Sequence, residues 1–276
     1  MWTKAEKLTA KLTLDEKIKM VHGAELFQTK GGERLGIPPL QMSDGPMGVR
    51  QEFPPAGWKP VGHSDAYVTS LPCNSALAAT WNRDLAFETG SVLGEEARGR
   101  GKDVILAPGI NIKRSPLCGR NFESFSDDPY LTKELAVPFI QGVQTWDVAA
   151  CVKHFAVNNQ ETERLWVDVE LDENAWRKIY LPAFYDAVRK GHSYTIMVAY
   201  NLLKGEHCCQ SEYLLKKILR EEWEYDGVVI SDWGAVHDTD LAANSQLDIE
   251  MSVTDNFDEY FMADPLKEKI QNGEIK

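Results

Sequence analysis

Residues 227–235 read GVVISDWGA. Val228, Val229 and Ile230 follow one another with no polar alternation, and Ser231, Asp232 and Trp233 come directly after them. A short, continuously apolar, β-branched run marks a parallel strand buried on both faces. The polar residues after it mark the strand's carboxyl end. The same grammar returns at 39–42 before Ser43 and Asp44, at 77–80 before Trp81 and Asn82, and at 104–107 before Pro108 and Gly109. It returns again at 148–152 before Lys153 and His154 and at 194–199 before Tyr200 and Asn201, with 246–251 as a last member.

Helical signals lie between these runs. Thr13 and Glu16 form a capping box ahead of Leu14, Ile18 and Val21. Asn82 caps a helix reaching Glu95, and Asp172 caps one reaching Lys190, where Gly191 is a natural stop. Pro182 breaks that second helix near Tyr180. Ser211 caps a helix with Leu214, Leu215, Ile218, Leu219 and Trp223 on one face, and a tail helix ends near Asn272. Strands alternating with helices give an α/β fold with a parallel sheet. The 276 residues suit a TIM-type (β/α) barrel of typically ~250 residues. Only 44 residues follow Asp232, whereas two further βα units need roughly 60. The barrel is therefore expected to be irregular or incomplete at its C-terminal end.

Composition narrows the function. There are 42 Asp plus Glu against 30 Lys plus Arg, for a net charge of −12. That acidity argues against a nucleic-acid partner. No apolar run is long enough to span a membrane, and the charged amino terminus has no signal-peptide core. Cys73, Cys118, Cys151, Cys208 and Cys209 are scattered, with no CxxC spacing, and read as reduced thiols of a cytoplasmic protein. No HxH or HExxH spacing offers a metal site, and no cofactor motif is present.

In a parallel barrel the carboxyl ends of all strands meet on one face, where active sites are built. Taken singly, each polar strand end is simply where a strand reaches water. As a set, Asp44, Lys153, His154, Tyr200, Asn201 and Asp232 point to one shared pocket. Trp233 beside Asp232 suits a sugar, whose C–H faces pack on rings while its hydroxyls need charged partners; plain core packing of Trp233 is the alternative.

Five segments, SDGPMGVR (43–50), GRNFESFSDDPYL (119–131), VKHFAVNNQETER (152–164), TIMVAYN (195–201) and GVVISDWGA (227–235), resemble the successive motifs of glycoside hydrolase family 3. The resemblance runs in order from about Leu8 to the end of the chain. It implies an amino-terminal barrel domain over residues 1–276 and a retaining, exo-acting β-glucosidase-like activity on terminal β-D-glucosyl residues of a β-glucoside or oligosaccharide. By this resemblance Asp232 is the nucleophile. Asp44, Arg120, Lys153, His154 and Arg164 grip sugar hydroxyls, Tyr200 stands beside the nucleophile, Trp233 flanks the sugar, and Glu123 supports Arg120. Cationic neighbours such as Lys153 and Arg120 are expected to depress the pKa of Asp232.

A retaining glycosidase also needs a general acid about 5–5.5 Å from the nucleophile. No segment of the chain offers one. In the β-glucosidase-like branch of the family this glutamate comes from a following αβα-sandwich domain, which is expected to be absent from this chain. The N-acetylglucosaminidase branch uses an Asp–His pair after KHFPGxG, but here KHF is followed by Ala156, Val157, Asn158 and Asn159. A second-domain chain or self-association is the expected partner. Competing readings are a sugar-binding fragment without turnover, a β-xylosidase relative, and a Schiff-base lyase using Lys153.

Overall fold

The structure is a computed structural model that describes residues 3–50, 67–254 and 256–275. Among these residues the short strands are β1 (Gly23–Glu25), β2 (Gln28–Thr29), β3 (Met42–Asp44), β4 (Val104–Leu106), β5 (Ala149–Phe155), β6 (Asp168–Val169), β7 (Thr195–Val198), β8 (Leu202–Leu203), β9 (Glu206–His207) and β10 (Val228–Ser231). Five of them form one parallel sheet in the order β10-β7-β5-β4-β3. The apolar runs place these strands well. β3 begins where the run at 39–42 ends, and the other four match within a few residues.

The sheet curls, and its backbone hydrogen bonds continue round the gap between β10 and β3. Ile230 bridges Ile249 in parallel, and Ser231 N–H donates to the Ile249 carbonyl at 2.9 Å. Glu250 bridges His22, with Gly23 N–H donating to the Glu250 carbonyl at 2.8 Å. The antiparallel hairpin β1–β2 follows, and Met42 N–H donates to the Phe27 carbonyl at 2.8 Å, which reaches β3 again. The expected last strand at 246–251 is thus held by single bridges, so the barrel is irregular there. A hairpin also stands where a regular barrel has parallel βα units, and the apolar-run pattern does not reveal it.

Alternation along the strands divides two cores. Val104 and Leu106 join Met42, Cys151, Met197, Ile230, Ile249 and Met251 in the barrel lumen, while Ile105 faces the outer helices. Residues 77–80 are not a strand but belong to the helix Asn74–Ala79 and its cap. The run Leu77-Ala78-Ala79-Thr80 is too short for periodicity to separate strand from helix, and alanine favours the helix. Asn82 caps the helix Arg83–Gly99, as expected. The helix starting after Asp172 breaks as expected: Glu173–Ala175 runs into a π-wound turn, Trp176–Tyr180, and Pro182–Arg189 resumes. A helix not read from sequence, Pro129–Gln144, is capped by Asp128 with proline at its first position.

The helices Arg83–Gly99 and Pro129–Gln144 touch through glycine. A Cβ on Gly142 would lie 2.1 Å from the Phe87 carbonyl oxygen, and one on Gly90 would lie 2.1 Å from that of Phe139. Gly99, on the first of these helices, has open space around it. Gly142→Ala is therefore expected to destabilise the chain by about 2 kcal/mol through forced separation of backbones. Gly99→Ala should be neutral or stabilising by up to ~1 kcal/mol. Urea denaturation of the two variants checks this, and equal midpoints would contradict the packing.

Candidate active site

Asp44 closes β3, Lys153 and His154 lie on β5, Tyr200 stands two residues past β7, and Asp232 follows β10 directly. Arg120 and Arg164 lie on the segments after β4 and β5. All seven, together with Trp233, line one cavity of about 370 Å³ at the carboxyl ends of the strands. The structure therefore brings these eight side chains together, whereas Asn201, expected in the same pocket, does not line it and donates instead to the Leu202 carbonyl at 2.9 Å. The structure adds Phe27, Arg50, Met197, Leu106 and Val253 to the walls, and Glu123, expected beside Arg120, lines the cavity as well. Arg50 ends the quoted SDGPMGVR segment and could have been read from it. Phe27 comes from the turn between β1 and β2, which carried no signal.

One half of the site is built on Asp44. A tight turn follows it: Gly45 has φ +120°, and a Cβ there would lie 1.8 Å from the Gly48 carbonyl oxygen. The turn lets Gly45 N–H donate to Asp44 Oδ1 at 2.9 Å. Lys153 Nζ donates to the same oxygen at 3.0 Å, with only 3% of the Lys153 side chain exposed, and Arg50 Nη1 lies 3.5 Å from Asp44 Oδ2. Burial pushes the Asp44 carboxyl up, but Lys153, Gly45 N–H and Arg50 outweigh it and hold the group below the usual aspartate range. Burial likewise disfavours a charged Lys153, and the Asp44 carboxylate outweighs it, so the ammonium is retained.

The other half surrounds Asp232. Oδ1 accepts the Trp233 backbone N–H at 2.8 Å, while Oδ2 is buried without a hydrogen-bond partner. His154 Nε2 lies 3.7 Å from Oδ2. Arg120 Nη2 donates to Glu123 Oε1 at 2.6 Å and meets His154 Nε2 at 2.9 Å. Tyr200 Oη donates to the Trp233 carbonyl at 2.9 Å, and the Arg164 guanidinium lies over the Tyr200 ring at 4.8 Å. Arg164 is itself held by Glu161 at 2.6 Å. Trp233 is largely buried, with its indole N–H donating to the Leu26 carbonyl at 2.7 Å and its ring against Phe27. It belongs to the lumen core and lines the cavity as well.

Burial pushes the Asp232 carboxyl above its ordinary value, even though Arg120, Trp233 N–H and Lys153 pull it down. The expected depression is overturned, because desolvation outweighs the cations in this site. Burial and the charges of Arg120, Lys153 and Arg164 push His154 well below the usual histidine range, so it is neutral. The buried thiols Cys151 and Cys208 are pushed up to about 12, so neither supplies a thiolate. Among the described residues, no group of three or more His, Cys, Asp or Glu is arranged to hold a metal ion, and no helix is long and apolar enough to cross a membrane.

Residues 25–276 match the model of the glycosyl hydrolase family 3 N terminal domain. The chain is 47% identical over 274 residues to the beta-glucosidase BoGH3A of Bacteroides ovatus, covering 96% of this chain and 37% of that protein. It is 46% identical to the thermostable beta-glucosidase B of Acetivibrio thermocellus, covering 89% and 32%. It is 41% identical to an exo-alpha-(1->6)-L-arabinopyranosidase of Bifidobacterium longum, covering 92% and 34%. The structure of beta-glucosidase 3B from Thermotoga neapolitana in complex with glucose superposes with a TM-score of 0.90 at 40% identity, over 99% of this chain and 40% of that one. The chain thus spans about a third of the length of the curated relatives it matches.

A carboxyl raised by burial binds its proton more tightly folded than unfolded. Its contribution to stability is therefore lost as pH rises from the ordinary aspartate range through the raised value. Asp232→Asn removes that burden and is expected to melt at or above the wild-type temperature at pH 7, with the gap closing at pH 4. Melting curves at both pH values check this, and a variant less stable than wild type at pH 7 would contradict it.

Proposed function

The chain belongs to glycosyl hydrolase family 3 through its N-terminal domain, and from that premise we propose that it carries the sugar-holding and nucleophile-bearing half of a retaining, exo-acting β-glucosidase-like site. The observation that carries this reading is Asp232 Oδ2, a buried carboxylate oxygen without a hydrogen-bond partner in a cavity otherwise lined by paired charges. One oxygen is fixed by Trp233 N–H, which leaves the other for the anomeric carbon. Arg120 and Lys153 pull toward the ionised form that attack requires, against the larger effect of burial, which raises the group. A cavity of about 370 Å³ suits a single sugar ring, which supports release of terminal residues. Asp44, Lys153, Arg120, His154 and Arg164 surround that space with acceptors and donors for hydroxyls, and Trp233 supplies an aromatic wall.

The same geometry supports an acid/base group from outside the described residues. Among the described residues, the carboxyl groups that line the cavity are Asp44, Glu123 and Asp232. Asp44 is held ionised by Lys153, and Glu123 Oε1 is taken up by Arg120, so neither is free to reach a leaving oxygen. Glu250, which burial pushes up to about 7, does not line the cavity. We assign the acid/base role to a second domain or partner chain, with a glucoside or oligosaccharide as substrate. The chain alone then favours binding over turnover. A lyase working through Lys153 is opposed by the Asp44 pair, which keeps the amine protonated. Five free cysteines support a reducing, cytoplasmic setting.

A fluoride leaving group needs no acid, so 2-deoxy-2-fluoro-β-glucosyl fluoride tests the chain by itself. One fluoroglucosyl unit is expected on Asp232, found by intact mass and peptide mapping. The labelling rate should rise with pH through the raised Asp232 range, since only the ionised form attacks. Asp44→Ala should label about a hundredfold more slowly, because it removes an ionised acceptor and strands Lys153. No adduct, or an adduct on another residue, would overturn the nucleophile assignment.

A further inference from the structure

Asn111 makes an unusual set of contacts with one residue. Its Oδ1 accepts the His154 backbone N–H at 2.8 Å, and its Nδ2 donates to the His154 carbonyl at 2.9 Å. These two bonds settle the orientation of the amide, because the backbone N–H requires an oxygen and the carbonyl requires an NH2. The same Oδ1 lies 3.3 Å from His154 Nδ1. An amide oxygen only accepts, so Nδ1 carries the imidazole proton. A second contact reaches the same result from the other side of the ring. Arg120 Nη2, which only donates, sits 2.9 Å from Nε2, so Nε2 presents its lone pair.

The consequence falls on Asp232. Nε2 is the ring nitrogen nearest Oδ2, at 3.7 Å. In the opposite tautomer Nε2–H would face the Arg120 Nη2 donor, and a ring shift that relieves this donor–donor contact would turn the N–H toward Oδ2. We propose that Asn111 is a positioning residue that locks His154 in the Nδ1–H tautomer and so keeps Asp232 Oδ2 uncapped and free to react. Asn111 does not line the main cavity; it lies behind His154, buried between the segment after β4 and strand β5. The placement of Asn111 stands on geometry alone, whereas its effect on reaction rests on Asp232 being the nucleophile.

The test is nitrogen-15 NMR of the histidine side chains in the full chain, with His154 assigned by comparison with His154→Gln. The wild-type spectrum is expected to show protonated Nδ1 and bare Nε2. That spectrum decides the tautomer whether or not any variant folds; protonated Nε2 in the wild type would overturn the proposal. Asn111→Leu and Asn111→Ala remove the acceptor on Nδ1 and are expected to shift His154 partly toward the Nε2–H form, against the Arg120 donor on Nε2, and to slow fluoroglucosyl labelling by up to about tenfold, the scale of one hydrogen bond placed on Oδ2. Asn111→Asp is expected to hold the Nδ1 proton and to raise the pH at which His154 titrates. If folded Asn111→Leu keeps the wild-type tautomer, Asn111 does not set it and the proposal fails. If the tautomer moves but no protein form is ever labelled, the nucleophile reading fails and the positioning role stands on the spectrum.

Discussion

An ammonium group with almost no exposure must meet a carboxylate, and Lys153 meets Asp44 across the mouth of the barrel. This pairing ties β5 to β3, two strands that are not neighbours in the sheet. A buried cation without its partner costs several kcal/mol, so the ends of these strands are held in register as a unit. The neighbouring charges follow the same rule. Arg120 is bound to Glu123 and lies near Glu161, and Glu161 in turn holds Arg164. Once these pairs are made, Asp232 keeps one buried oxygen, Oδ2, without a hydrogen-bond partner, as Glu161 does at Oε1 outside the cavity.

That residue explains the direction of the electrostatics. A carboxylate paired as Asp44 is stabilises the ionised fold, whereas one desolvated as Asp232 is works against it. The fold tolerates the second because the first set of pairs is satisfied around it. On the proposed nucleophile reading, reactivity and stability pull in opposite directions at this oxygen, a pattern common where a site is assembled for chemistry rather than for packing. Neutral His154 fits the same logic, since a charged imidazole at that position would add a third cation beside Arg120 and Lys153.

Much of this was legible in the residues. β4, β5, β7 and β10 announce themselves because strands buried on both faces must be apolar throughout, and their polar endings marked the pocket wall. Residues 77–80 misled because Leu, Ala, Ala and Thr suit either state over four residues, and the helix is settled by packing. The β1–β2 hairpin was invisible because strands of two and three residues have no period to detect. Its contribution of Phe27 to the cavity was hidden with it. Asn111 was missed for another reason: a single Asn in a loop is unremarkable until the fold places it against both backbone groups of His154. The sign of the Asp232 shift was misjudged because sequence shows which cations are near but not how much water is excluded.

We propose that paired charges hold a sugar ring over one carboxylate oxygen left without a hydrogen-bond partner. Calorimetry with a glucose-configured cationic imine and with glucose itself, on the wild-type chain and on Asp232→Asn, tests it most directly. The account predicts one site per chain, tighter binding of the cation than of glucose, and loss of that preference in Asp232→Asn while glucose still binds. A preference that survives Asp232→Asn, or a wild-type chain that binds neither ligand, would contradict it.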